Sequence, residues 1–177
     1  FIAANNNSSK IKYSVVRYGN VMNSNGSVIP FFLKQKTSGT LTVTDTEMTR
    51  FNITLNEGVN MVLFGLENAW GGEIFVPKIP SYNILDLANA VDSNCKIKVI
   101  GIRPGEKVHE EMISSSDSYN TYDIGSYFVI LPTISNWKIT DFITKFKAKK
   151  VSLEFNYNSK ENSKFLTVKE LKDLIYN

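Results

Sequence analysis

An α/β fold is what this sequence predicts, and three observations predict it. Short β-branched and aromatic runs alternate with helical runs, in the order strand, helix, strand, helix, strand. The clearest helical run opens on a T-x-x-E capping box, Thr54 to Glu57. Polar loops rich in Gly, Asn and Arg sit at element ends, where α/β folds bind ligands.

The opening Phe1-Ile2-Ala3-Ala4 reads as the tail of a helix already under way, and residues 5–9 read as a polar loop. Ile11 to Arg17 (IKYSVVR) has strand composition and runs into a Gly/Asn/Ser turn ending at Gly26. Ser27 to Lys36 suits a short helix, with Pro30 tolerated in its first turn. Leu41 to Val43 suits a short strand. Thr54 to Ala69 is a helix with Val59, Val62, Leu63 and Leu66 on one face, stopped by Gly71-Gly72. Glu73 to Val76 reads as a strand, Tyr82 to Val91 as an amphipathic helix and Lys96 to Ile102 as a strand. Beyond Ile113 the pattern weakens. Tyr127 to Leu131 is a strand candidate and Thr140 to Lys147 a helix. A second capping box, Thr167 to Glu170, opens a last helix.

Composition excludes several classes. The 177 residues suit one domain, or one domain plus a small extension, and 42% hydrophobic residues allow an ordinary core. Twenty basic residues against 17 acidic leave a net charge of +3, too little to argue for nucleic acid or an anionic membrane. The densest basic run, Lys145 to Lys150, reads as a solvated helix face. Cys95 is the one cysteine, so no internal disulfide forms and no metal-ligand spacing exists. No apolar run approaches the ~20 residues that span a bilayer, and no basic-then-apolar opening reads as a signal peptide. A cytoplasmic chain is the expectation.

Three polar clusters could carry chemistry. The first is the loop from Arg17 to Ser27, after a strand and before a helix, whose small residues allow close backbone approach and whose following N–H groups could meet an anion. A plain turn is the alternative reading. In the second, Met48-Thr49-Arg50-Phe51, the guanidinium of Arg50 could fork onto a phosphate or simply pack on Phe51. The third is Gly101-Ile102-Arg103-Pro104-Gly105-Glu106-Lys107. Arg103 there offers a second phosphate fork, and Glu106 an acceptor for sugar hydroxyls; a turn with an exposed ion pair is the alternative. His109, the single histidine, sits in a charged stretch without the spacing of a catalytic triad or an H-E-x-x-H zinc motif.

These clusters, in order, resemble one family. Arg17-Tyr18-Gly19-Asn20-Val21-Met22, Gly26-Ser27-Val28-Ile29-Pro30-Phe31-Phe32, Met48-Thr49-Arg50-Phe51, Gly72 to Ser81 (GEIFVPKIPS) and Gly101 to Lys107 with His109-Glu110 resemble the inverting UDP-N-acetylglucosamine 4,6-dehydratases. These are extended short-chain dehydrogenase/reductases of the polysaccharide-biosynthesis group. The resemblance implies the C-terminal part of a Rossmann-like fold with a small mixed α/β substrate-binding lobe. It implies residues 1–40 as the end of an NADP-binding domain, and residues 41–177 as a substrate lobe with interleaved Rossmann elements. It further implies that Val21, Met22, Asn23, Ser24 and Asn25 line the nicotinamide side of NADP, and that Asn20, Arg50, Arg103 and Glu106 hold the UDP-sugar. The family's reaction oxidises C4 of the sugar, loses water across C5 and C6 and inverts C5. Its 4-keto-6-deoxy product leads to pseudaminic acid for flagellar and surface glycans. Homo-oligomers are implied too.

The chain departs from the family in what it lacks. It has no G-x-G-x-x-G fingerprint and no Tyr-x-x-x-Lys pair, so the resemblance makes it a partial protein with negligible hydride transfer of its own. Asn23 stands where the family has Gly, Asn25 where it has Arg, and Asn52 where it has an aromatic. A cut parallel sheet is expected to expose an apolar edge and helix faces. A retaining 4,6-dehydratase, a 4-epimerase of the same superfamily and a non-catalytic UDP-sugar-binding module are the alternatives.

Overall fold

A computed structural model describes residues 11–176; the opening helix tail and the loop at 5–9 lie outside the described residues. The chain divides into two compact units. The first comprises residues up to Tyr18, Asn56–Lys78 and Glu111–Tyr157; the second comprises Gly19–Leu55, Ile79–Glu110 and Asn158–Asn177. Position 40, where a boundary was expected, is the first residue of a strand inside the second unit.

In the first unit β1 (Val15–Val16) lies parallel to β4 (Ile74–Pro77) at the edge of a five-stranded mixed sheet. The sheet continues antiparallel through β9 (Tyr127–Ile130) and β8 (Thr121–Asp123) to β10 (Lys149–Lys150). Only two residues of the expected Ile11–Arg17 strand pair, because just these find a partner in β4. The basic run is likewise split: Lys145 belongs to helix α4 (Ile139–Phe146), while Lys149 and Lys150 form β10. Lys147 ends α4 in the left-handed region, φ 49°.

Helix α2 (Leu55–Asn68) departs from the burial that its pattern suggests. An amphipathic helix ordinarily turns its apolar stripe inward. Here Val59, Val62, Leu63 and Leu66 are exposed, and the buried face is Gly58, Met61 and Gly65. Gly65 explains the inversion. A Cβ there would stand 3.3 Å from Val16 Cγ1, so the absent side chain lets the helix lie close on β1. The core of this unit gathers Met61, Phe75, Val129, Leu131 and Phe142, with Trp70 and Trp137 packed against it.

In the second unit α1 (Val28–Lys36) leads into β2 (Thr40–Val43), which pairs in parallel with β6 (Lys96–Val99). The strand expected to reach Ile102 stops at Val99, before the turn at Gly101, whose φ is 85°. Gln35 ties α1 to β2: its Nε2 donates to Thr42 Oγ1 at 2.8 Å, and Thr42 N–H donates to its Oε1 at 2.9 Å. β3 (Thr49–Phe51) pairs antiparallel with β5 (Ser81–Asn83). Tyr82 therefore sits on a strand, where helix was expected.

The helix α3 (Ile84–Asp92) starts at once, because extended Asn83 turns its Oδ1 back to accept the Leu85 N–H at 2.8 Å. Ile29 and Phe32 of α1, Leu41, Leu87, Val91 and Leu171 build this unit's core. Leu171 comes from α5 (Val168–Tyr176). The expected capping box opens that helix: Thr167 N–H donates to Glu170 Oε2 at 2.8 Å, and Glu170 N–H to Thr167 Oγ1 at 3.2 Å.

Candidate ligand-binding site

A cavity of about 580 Å3 opens within the second unit. Its floor is the start of α1, where Gly26, Ser27, Val28 and Ile29 line it. The first N–H groups of a helix have no partner inside the helix. Pro30 removes one such donor, and Val28 and Ile29 keep theirs. Ser27 is the N-cap residue, yet its side chain makes no capping bond; its Oγ is buried without a hydrogen-bond partner. Free N–H groups, the positive end of the helix dipole and an unpaired hydroxyl together suit an anionic oxygen.

The sequence-expected residues fall around this floor. Asn20, Val21, Met22, Ser24 and Asn25 line the cavity; Asn23 does not, and takes a left-handed conformation with φ 58°. That conformation is one Asn tolerates. The segment is held by its own backbone. Met22 N–H donates to Ile53 O at 2.9 Å, Ser24 N–H to Val21 O at 3.2 Å and Ser27 N–H to Ser24 O at 3.0 Å. Just before it, Gly19 runs against Phe51 so closely that a Cβ would stand 2.7 Å from Phe51 Cβ. These residues fit a dinucleotide as one wall only, since no phosphate-binding glycine fingerprint accompanies them in the chain.

Arg50, Arg103 and Glu106 also line the cavity. Arg50 Nη1 donates to Thr49 O at 2.7 Å and to Val108 O at 2.9 Å, and Nη2 donates to Lys107 O at 2.9 Å. Three of its five donors are thus spent on fixing the loop after Lys107. The guanidinium is held rigid, with Glu110 Oε1 3.8 Å from Nε and Glu106 Oε1 4.0 Å from Nη2. Arg103 contrasts with it: its side chain is 73% exposed and touches Glu106 at 3.3 Å. One cation is built in and the other is mostly exposed, tied to Glu106.

Several residues here escaped the sequence reading. Glu110 accepts the Phe51 N–H at 2.9 Å and partners Arg50. Burial pushes its carboxyl above the ordinary value, against the pull of that N–H and of Arg50. Tyr82 and Asn52 line the cavity, both buried. Burial first, then the charge of Glu110, holds the Tyr82 phenol well above its ordinary range. Nothing in local spacing marks these three; the β3–β5 pairing and the return of the chain at Glu110 bring them in. His109 is structural: its Nδ1 shares a 2.8 Å hydrogen bond with Thr49 Oγ1, which also meets Ser159 Oγ at 2.7 Å. Among the described residues no cluster of three metal-ligating side chains forms, and no helix is long and apolar enough to cross a membrane.

Comparison with known proteins places this geometry. The family described as polysaccharide biosynthesis protein matches residues 1–132. The inverting UDP-N-acetylglucosamine 4,6-dehydratase of Campylobacter jejuni (strain 81-176) is 47% identical over 186 residues, covering 99% of this chain and 55% of that protein. The UDP-glucose 4-epimerase of Rickettsia canadensis is 40% identical over 166 residues, covering 91% of this chain and 48% of that protein. Among solved structures, Pen from Bacillus thuringiensis superposes with a TM-score of 0.83 at 33% identity, covering 98% of this chain and 53% of that one. The chain therefore spans about half the length of the relatives it matches. Across that span, in sequence and in fold, it belongs to the polysaccharide biosynthesis protein family.

Proposed function

We propose that this chain supplies the nucleotide-sugar-binding part of a UDP-N-acetylglucosamine 4,6-dehydratase that uses NADP and inverts C5, on the way to pseudaminic acid for surface and flagellar glycans. One observation carries the reading: a single cavity joins a helix N-terminus, two arginines and a carboxylate. That set matches a diphosphate attached to hydroxyl-rich rings.

The residues divide the work as follows. The N–H groups of Val28 and Ile29 and the Ser27 hydroxyl receive diphosphate oxygens. Arg50 supplies a fixed positive charge, and its loop bonds keep it from collapsing onto solvent. Arg103 closes on the nucleotide from the rim. Glu106 accepts hydrogen bonds from ribose or sugar hydroxyls, and Asn20 contacts the substrate. Val21, Met22, Asn23, Ser24 and Asn25 would form the nicotinamide side of the cofactor site. When bound, NADP supplies reversible oxidation of the sugar. The Tyr-x-x-x-Lys pair, which would take the C4 hydroxyl proton as hydride leaves, is absent from the chain, so the part proposed for these residues is to bind and orient the sugar nucleotide. The Campylobacter jejuni relative supports the dehydratase reading. The cytoplasm and a homo-oligomeric assembly belong to the same reading, from the family resemblance.

The Rickettsia relatives favour a second reading, a 4-epimerase of the same superfamily; a retaining dehydratase and a non-catalytic binding module complete the set. All share the UDP-sugar site. Calorimetric titration with UDP-N-acetylglucosamine tests it: the chain binds, and Arg103→Ala weakens binding about tenfold, the scale of one hydrogen bond to a charged group. A folded chain that binds no UDP-sugar rejects the site.

A further inference from the structure

Beneath the arginines the cavity has a second polar surface, and its geometry follows from strand register. Arg50 and Tyr82 are direct partners across β3 and β5, so their side chains leave the ribbon on the same face. Asn52 follows Arg50 by two residues, and its N–H donates to Pro80 O at 2.8 Å, which carries the ladder one step further. With a period of two, Asn52 shares that face as well, while Thr49 and Phe51 point to the other. All three face-sharing residues line the cavity.

Asn52 and Tyr82 are each only 4% exposed. Neither the Asn52 amide nor the Tyr82 hydroxyl has a hydrogen-bond partner among the described residues. Buried polar groups are almost always paired, because leaving them unpaired costs stability. Their outlet here is the cavity. The amide offers two donors and an acceptor; the phenol offers one O–H and accepts. A group that both donates and accepts, and fits between them, is a sugar hydroxyl. A phosphate only accepts and suits the helix floor better.

We propose that Asn52 and Tyr82 are a ligand-reading pair that hydrogen-bonds a sugar hydroxyl of the nucleotide bound in this cavity. The proposal rests on the nucleotide-sugar reading above and deepens it. It assigns recognition to two residues beyond the charged set, and it makes the site discriminate against ligands that lack the hydroxyl. A site built to hydrogen-bond a hydroxyl rejects the analogue without one, because its own polar groups are then left buried and unpaired.

The test uses the full chain, with Asn52→Leu and Tyr82→Phe, titrated calorimetrically with UDP-N-acetylglucosamine and separately with UDP. Each variant is expected to bind UDP-N-acetylglucosamine about tenfold more weakly, and the double variant about a hundredfold more weakly. The thermal midpoint of the free variants stays level, since each substitution removes a polar group that opens on the cavity and has no partner among the described residues. Equal losses toward UDP place the hydroxyl on the ribose; losses confined to UDP-N-acetylglucosamine place it on the hexose. Both results support the pair. Unchanged affinity for both ligands in folded variants overturns it while leaving the nucleotide-sugar reading standing. Weaker binding that merely tracks a lowered midpoint marks a structural role and overturns it too. No binding by the unsubstituted chain overturns both readings.

Discussion

Glu110 shows how a single side chain can serve the site without lining it. Its Oε1 lies 3.8 Å from Arg50 Nε while its Oε2 accepts the Phe51 N–H at 2.9 Å. Burial holds its carboxyl above the ordinary value of 4.5. A carboxyl whose folded value lies above its unfolded value binds its proton more tightly in the folded state. Its contribution to stability is therefore full below 4.5 and is lost as pH rises through the raised folded value. Unfolding free energy measured across that window should fall with pH in the native chain, and Glu110→Gln should flatten that slope. A slope unchanged by the substitution would assign it to other groups. Arg103 and Glu106 stood out in the sequence because they sit beside Pro104 and Gly105 in a turn after a strand, while Arg50 stood out only through the family resemblance carried by Met48-Thr49-Arg50-Phe51. Glu110, Asn52 and Tyr82 did not. Their place depends on which strands pair, and pairing between β3 and β5 spans some thirty residues with no local signature.

At the scale of elements, periodicity located helices well and their orientation poorly. The stripe on α2 was evident, and its helix starts and ends within a residue of expectation. The exposed direction was not, since the deciding contact is a glycine against Val16, a feature that hydrophobic patterning counts as nothing. Val59, Val62, Leu63 and Leu66, the last 76% exposed, form a continuous apolar strip. Such strips associate in water. The chain should self-associate as concentration rises, and the double change Leu63→Lys with Leu66→Lys should shift sedimentation toward monomer with no loss of helix signal. Sedimentation indifferent to the charges would show that the strip drives no association. Strand ends were the least legible feature: Ile11 to Arg17 has strand composition throughout, but composition cannot supply a neighbour for each residue, and two found one.

For the whole molecule, the division into two units was hidden because neither is continuous in sequence: each is assembled from three stretches of the chain. The α/β class was readable, since it follows from element order alone. Supplied with NADP and UDP-N-acetylglucosamine, the chain should bind the sugar nucleotide yet yield no 4-keto product by NMR. Turnover would reveal a proton-transfer set other than Tyr-x-x-x-Lys.

The junction at Asn83 constrains how this protein can change length. β5 passes into α3 with no residue between them, and the Asn83 side chain locks the corner. A strand repeats every two residues and a helix every 3.6, so the corner meshes two different periods like a pair of gears. One residue inserted there would rotate Tyr82 out of the cavity wall or turn Leu87 and Val91 out of the core. One extra residue should therefore lower the thermal midpoint when placed at this corner and leave it nearly unchanged when placed in the open turn at 101–105, where extra chain disturbs no meshed pair.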